Sequence, residues 1–140
     1  MPKGKKKKTA TAPAAAAGPA GIVVGFDPAK PVTIQLSFDS PQVVNYRLSF
    51  ARPGGDWQLI AVGTDEETVP KTGHTHEVGP LPSGSRLRYL LIFTGNPSVG
   101  FKATVMLLQD DVPLAGGAFR ENGTTADDGV AVRRKEITLQ

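Results

Sequence analysis

The sequence predicts an all-β fold, a two-sheet antiparallel β-sandwich in Greek-key or jelly-roll order, and three observations predict it. Apolar and polar residues alternate through successive short segments, the pattern of strands buried on one face. Sixteen glycines and twelve prolines punctuate the chain at short intervals. No ten-residue stretch carries a convincing helical period. Eight or so short strands separated by turn residues in this way make two packed sheets.

Residues 1–20 are expected to stay outside that body, as a disordered Lys-rich tail and Ala/Pro/Gly linker, leaving 21–140 as the sandwich domain. Lys3, Lys5, Lys6, Lys7 and Lys8 repel one another, and Thr9 to Gly21 contains no Leu, Ile, Val or Phe. Such a composition cannot bury enough apolar area to offset the entropy of ordering.

From Gly21 the period becomes two. In PVTIQLSF, Val32, Ile34, Leu36 and Phe38 form one row against Thr33, Gln35 and Ser37. VVNYRLSF repeats the rule with Val44, Tyr46, Leu48 and Phe50, after the turn residues DSPQ. RPGGDW reads as a hairpin loop, followed by an extended WQLIAVG and a long acidic loop, TDEETVPKTG. Further strands are expected at HTHEV, RLRYLLIF and VGFKATVMLL. The last two are apolar at both parities, which predicts strands central in their sheet or buried on both faces. LAGGAFRE, a turn at NGTTADDG with Gly123 and Gly129 at positive φ, and VAVRRKEITL complete the chain. In that final segment the apolar residues change parity, from Val130 and Val132 to Ile137 and Leu139. A bulge or break between Arg133 and Glu136 is the expected remedy.

Charge is divided along the chain. Five lysines precede Ala10, whereas 11 basic and 13 acidic residues lie from Asp27 onward, so a basic arm precedes a slightly acidic body. A polyanion, non-specific nucleic acid included, is expected to be met by the arm. The absence of cysteine excludes thiolate metal sites, disulfide chemistry and a cysteine nucleophile. No apolar run reaches the roughly 18 residues of a membrane span, and the segment after the lysines is a poor secretory core. The expected location is the cytoplasm, or a particle assembled from it.

THEVGPLPSGSRLRYLL, with Leu81-Pro82-Ser83-Gly84-Ser85 leading into an aromatic strand, resembles the link before strand F of fibronectin type III and related immunoglobulin-like domains. What the resemblance implies is a binding or structural module, with no catalytic residues and no cofactor.

Three groups of residues are candidate sites. His74 and His76, two apart on one strand, point to the same side with Cα atoms about 6.6 Å apart, a spacing that suits two imidazoles on one metal, with Glu67 as a third ligand. A polar strand edge beside a loop is the alternative. Trp57, directly after a Gly-Gly-Asp turn, is the aromatic best placed to stack on a ligand such as a sugar; a core role is the alternative. The acidic pairs Asp110-Asp111 and Asp127-Asp128 lack the spaced order of a calcium loop and read as turn residues. Nucleophile elbows, phosphate loops and dinucleotide fingerprints are all missing.

A non-enzymatic binding or structural module is therefore expected, contacting a protein partner or a second copy through a sheet edge or loops. A self-assembling capsid-like subunit whose arm faces nucleic acid is the alternative. A metal-dependent enzyme or a carbohydrate-binding module is a more distant one.

Overall fold

A computed structural model describes residues 21–40, 43–65 and 74–140. The lysine arm and Glu67 lie outside the described residues. The described chain forms nine strands: β1 (Ile22–Val24), β2 (Val32–Asp39), β3 (Val43–Ala51), β4 (Gln58–Asp65), β5 (His74–Val78), β6 (Arg86–Thr94), β7 (Gly100–Gln109), β8 (Val112–Thr124) and β9 (Val130–Leu139). A five-stranded sheet in the order β1-β9-β6-β3-β4 packs on a four-stranded sheet in the order β5-β2-β7-β8. Every pairing is antiparallel except that of β1 with β9. Among the described residues there is no helix, and hence none long and apolar enough to cross a membrane.

The alternating rows read from the sequence are the rows that meet in the core. Ile34, Leu36 and Phe38 of β2 and Val105 and Leu107 of β7 face Leu48 of β3 and Leu91 and Phe93 of β6, all at most 3% exposed. Phe93 and Phe101 stack across the two sheets with ring centroids 4.0 Å apart. Strands β6 and β7 are central in their sheets, but their second apolar rows are only half-buried: Leu90, Ile92, Met106 and Leu108 look outward.

Turn chemistry differs in detail from expectation. Strands β7 and β8 are joined through Asp110 and Asp111, both left-handed at φ 52° and 61°, the backbone of a tight two-residue hairpin. Gly129 has φ +79° as expected. Gly123 does not take positive φ; it sits inside β8 opposite Phe101, and the turn begins only after Thr124. A Cβ there would lie 2.6 Å from the Arg133 guanidinium and 3.0 Å from the Phe101 ring, so glycine here leaves room for those two side chains rather than for a turn.

The expected bulge in the last strand is absent. Strand β9 pairs with β6 in unbroken register from Thr94↔Val130 to Arg86↔Thr138. Regular alternation therefore turns Val130 and Val132 outward and sends Arg133 and Lys135 inward, on the same row as Ile137 and Leu139. The chain tolerates this because a carboxylate from the other sheet meets the two cations. The register shifts that do occur lie elsewhere, at Leu48/Ser49 opposite β4 and at Met106/Leu108 opposite β8.

Candidate functional site

His74 and His76 project from β5 on the row shared with Leu36 and Ile34, toward the interior at the edge where β4 and β5 adjoin. There they meet Tyr46, whose ring centroid is 5.2 Å from that of His74 and 5.6 Å from that of His76. The Tyr46 hydroxyl and His76 Nε2 are 2.8 Å apart. Burial, and secondarily the neighbouring His74, lowers the His76 pKa, since a desolvated imidazolium is disfavoured. Gly63 of β4 lets the Tyr46 ring pass over its backbone, because a Cβ would lie 2.4 Å from the phenol carbon. Among the described residues no group of three metal-binding side chains gathers here or elsewhere. The pair closes the side of the core with rings.

On the outward face of the five-stranded sheet lies a different arrangement. Register places Ser49 of β3 beside Arg88 of β6, Arg47 beside Leu90, and Leu90 beside Arg134 of β9. Together with Trp57, Gln58 and Leu59 these residues line a shallow depression of about 370 Å³. The Arg88 guanidinium lies 4.0 Å from the Trp57 ring centroid and that of Arg86 4.8 Å from it. Arg86 also reaches Glu136 at 3.4 Å. Arg47, Arg88 and Arg134 have no carboxylate within ion-pair distance among the described residues. Trp57 is thus half-buried beneath the chain's own cations, and the ring holds two long, flexible side chains in place.

A second depression, about 450 Å³, continues from the first and shares Arg47 and Leu90 with it. Its lining includes Ile92, Val62 and the pair Asn45 and Thr64, whose side chains are hydrogen-bonded to one another at 2.7 Å. Val132 of β9, 49% exposed, stands beside Ile92 of β6, and Val62 of β4, 62% exposed, stands beyond Asn45 and Arg47 of β3, so the sheet shows water apolar side chains among its arginines. The other sheet's outer face is lined by Thr33, Gln35 and Ser37 of β2 and by Thr104, Met106 and Leu108 of β7, and its charges are mixed in sign.

The sequence reading missed one polar cluster entirely. Glu121 of β8, 5% exposed, accepts hydrogen bonds from the Tyr89 hydroxyl and, at 2.8 Å, from Lys135 Nζ, with Arg133 Nε 3.9 Å away. Burial, reinforced by the Glu121 carboxylate, raises the Tyr89 pKa far above the ordinary phenol value. The inward parity of Arg133 and Lys135 was the available signal, but it has meaning only once β8 is known to lie opposite β9. Of the acidic pairs, Asp110 meets Lys30 at 2.7 Å, and an Asp128 carboxylate oxygen accepts from the Val130 amide, both turn roles.

No protein-family model matches the chain, and no curated protein does. Two solved structures are similar in fold. One, a DUF4425 domain of unknown function from Bacteroides vulgatus, aligns with TM-score 0.52 and 9% identity over 82% of this chain and 99% of its own. The other, a DUF4425 family protein from Bacteroides ovatus, aligns with TM-score 0.50 and 10% identity over 78% of this chain and 94% of its own. At such identities the likeness extends to the fold alone.

Proposed function

We propose that the chain is a non-enzymatic binding module of immunoglobulin-like type, and that it holds an anionic group of its ligand on the outer face of the five-stranded sheet. The observation that carries the reading is the convergence of Arg47, Arg88 and Arg134 on one depression, none of them within ion-pair distance of a carboxylate among the described residues; Glu136, beside Arg88 in register, is turned to Arg86 instead. Guanidinium groups offer paired donors that match a carboxylate, sulfate or phosphate, and charge-assisted bonds of this kind are the stronger ones. Trp57 lowers the entropy lost on binding by holding Arg88 in place beforehand. Immunoglobulin-like character is supported by the order β9-β6-β3-β4 facing β5-β2, which matches strands G, F, C and C′ facing E and B; the β7-β8 hairpin, inserted between the strands in the F and G positions and placed beside β2, is a departure from that fold. A face bearing several arginines repels its own copy, so an acidic partner is favoured over self-association through this surface. The five lysines of the arm would add attraction at longer range, and that contribution weakens with salt.

Trp57 is the chain's one tryptophan and reports on its own neighbourhood. Titration with inorganic pyrophosphate and with a sulfated oligosaccharide should change its fluorescence. Arg88→Ala or Arg134→Ala should weaken binding about tenfold, the loss of one charge-assisted contact. Arg120→Ala, on the other sheet, should leave it unchanged. Equal losses from all three variants would mean diffuse attraction and would reject the site. A chain beginning at Gly21 separates the contribution of the lysines.

A further inference from the structure

Resting on that reading, we infer that the ligand is an anionic amphiphile: its head sits among Arg88, Arg134 and Arg47, and its unbranched apolar body lies along Leu90, Ile92 and Val62. Continuity carries the inference. The basic depression and the more apolar one share Arg47 and Leu90, so a molecule anchored by its charge at one end has Leu90 and Ile92 directly beyond it, with Val62 across the Arg47 stem. Along β6 the outward row runs Arg88, Leu90, Ile92, which spans about 13 Å at strand rise.

What lines the second depression selects against a polar body. Strands β3 and β6 are each paired on both sides, so their backbone donors and acceptors are consumed by the ladders beneath it. The Thr64 hydroxyl donates to Asn45 Oδ1, so that oxygen and that proton are taken and the Asn45 amide N–H groups stay at the rim. An extended peptide laid directly over Leu90 and Ile92 would place amide groups on side chains that cannot bond them, at a desolvation cost per group, while Asn45, Arg47 and Thr64 serve only one side of it. An alkyl chain brings none. The charged end needs three donors of the guanidinium kind and finds them, while Trp57 and Leu59 wall the head side.

The test is a chain-length series: acetate, hexanoate and decanoate, each as a monomer below its micelle concentration and at constant ionic strength, followed by Trp57 fluorescence and by calorimetry. Affinity should rise about twofold per added methylene, since an open groove covers a chain on one side only. Ile92→Asn combined with Val62→Ser, both on the outward face, should flatten the series while leaving acetate binding intact. Arg134→Ala should weaken every member. Equal affinity for acetate and decanoate, with Arg134 still required, would overturn the amphiphile and leave the anion site standing. A series indifferent to Arg134 would remove the anion site itself. A steep series that survives the double variant would place the alkyl chain elsewhere and overturn the inference. So would sedimentation with phosphatidylglycerol vesicles without any response to monomeric decanoate, which would point to a bilayer surface.

Discussion

The two edges of the sandwich close the same gap with opposite chemistry. Where β4 and β5 adjoin, Tyr46, His74 and His76 fill the opening with rings and with the hydrogen bond between the Tyr46 hydroxyl and His76. Where β8 and β9 face each other, Glu121 is buried between sheets and held by Tyr89, Lys135 and, more distantly, Arg133. A ring edge can lose one polar contact and keep its packing. A charge edge has no such reserve, because removing one member leaves its partners desolvated and unmatched. Asymmetry of this kind shows that a small sandwich need not be apolar to its rim, provided each inward charge meets its counterpart from the opposite sheet.

The sharpest way to break the comparison is Glu121→Ala. It should cost about 3 kcal/mol in urea unfolding, at the low end for a broken buried pair because Lys135 and Arg133 keep partial access to water. Replacing Glu121 by Leu together with Lys135→Met and Tyr89→Phe, which also removes the buried hydroxyl that donates to Glu121, should recover most of that loss. A cost below about 1 kcal/mol for the single variant would place the cluster with ordinary surface pairs. At the ring edge, Gly63→Ala should cost about 2 kcal/mol, the usual penalty of overpacking, since the new methyl meets the Tyr46 ring at 2.4 Å. A neutral outcome in the same unfolding measurement would mean that the Tyr46 ring moves freely, and the closure by packed rings would be wrong.

The smallest effects, and the most diagnostic, concern pH. His76 has a folded-state pKa below its ordinary 6.5, so the unfolded chain takes up a proton first. Its contribution is complete above pH 6.5 and is lost as pH falls from there toward the folded-state value. Tyr89 has a folded-state pKa above its ordinary 10.0, so the unfolded chain releases its proton first. Stability from that edge is lost as pH rises past 10.0. Urea midpoints measured across pH should therefore show an acid limb that flattens in His76→Gln and an alkaline limb that flattens in Tyr89→Phe. If both substitutions altered the same limb, the two edges would not be chemically distinct.

Much of the fold was legible in the sequence. Rows such as Val32-Ile34-Leu36-Phe38 and Val44-Tyr46-Leu48-Phe50 read correctly because a strand's side chains alternate whatever its neighbours are. Gly54 and Gly129 could likewise be read as turn residues from local chemistry. The binding face was legible only in fragments. Arg47, Arg88 and Arg134 each stand on an outward row, but they are separated by tens of residues, and their convergence depends on β6 lying between β3 and β9. Trp57 could be singled out by its position after the Gly-Gly-Asp turn, yet its guanidinium partners could not be named in advance.

Strand β9 marks the boundary between the two kinds of information. By itself the sequence determined an all-β chain, the inward and outward rows of strands such as β2 and β3, and the division of charge between a cationic arm and a near-neutral body, since these follow from side-chain period and composition. The tertiary structure alone decided that the parity change after Val132 is met by two inward cations rather than by a bulge. Whether a buried charge is tolerable depends on what the opposite sheet brings to it, and Glu121, distant in sequence, is supplied only when β8 and β9 face each other. The same holds for the arginines around Trp57, whose common depression exists only in the assembled sheet.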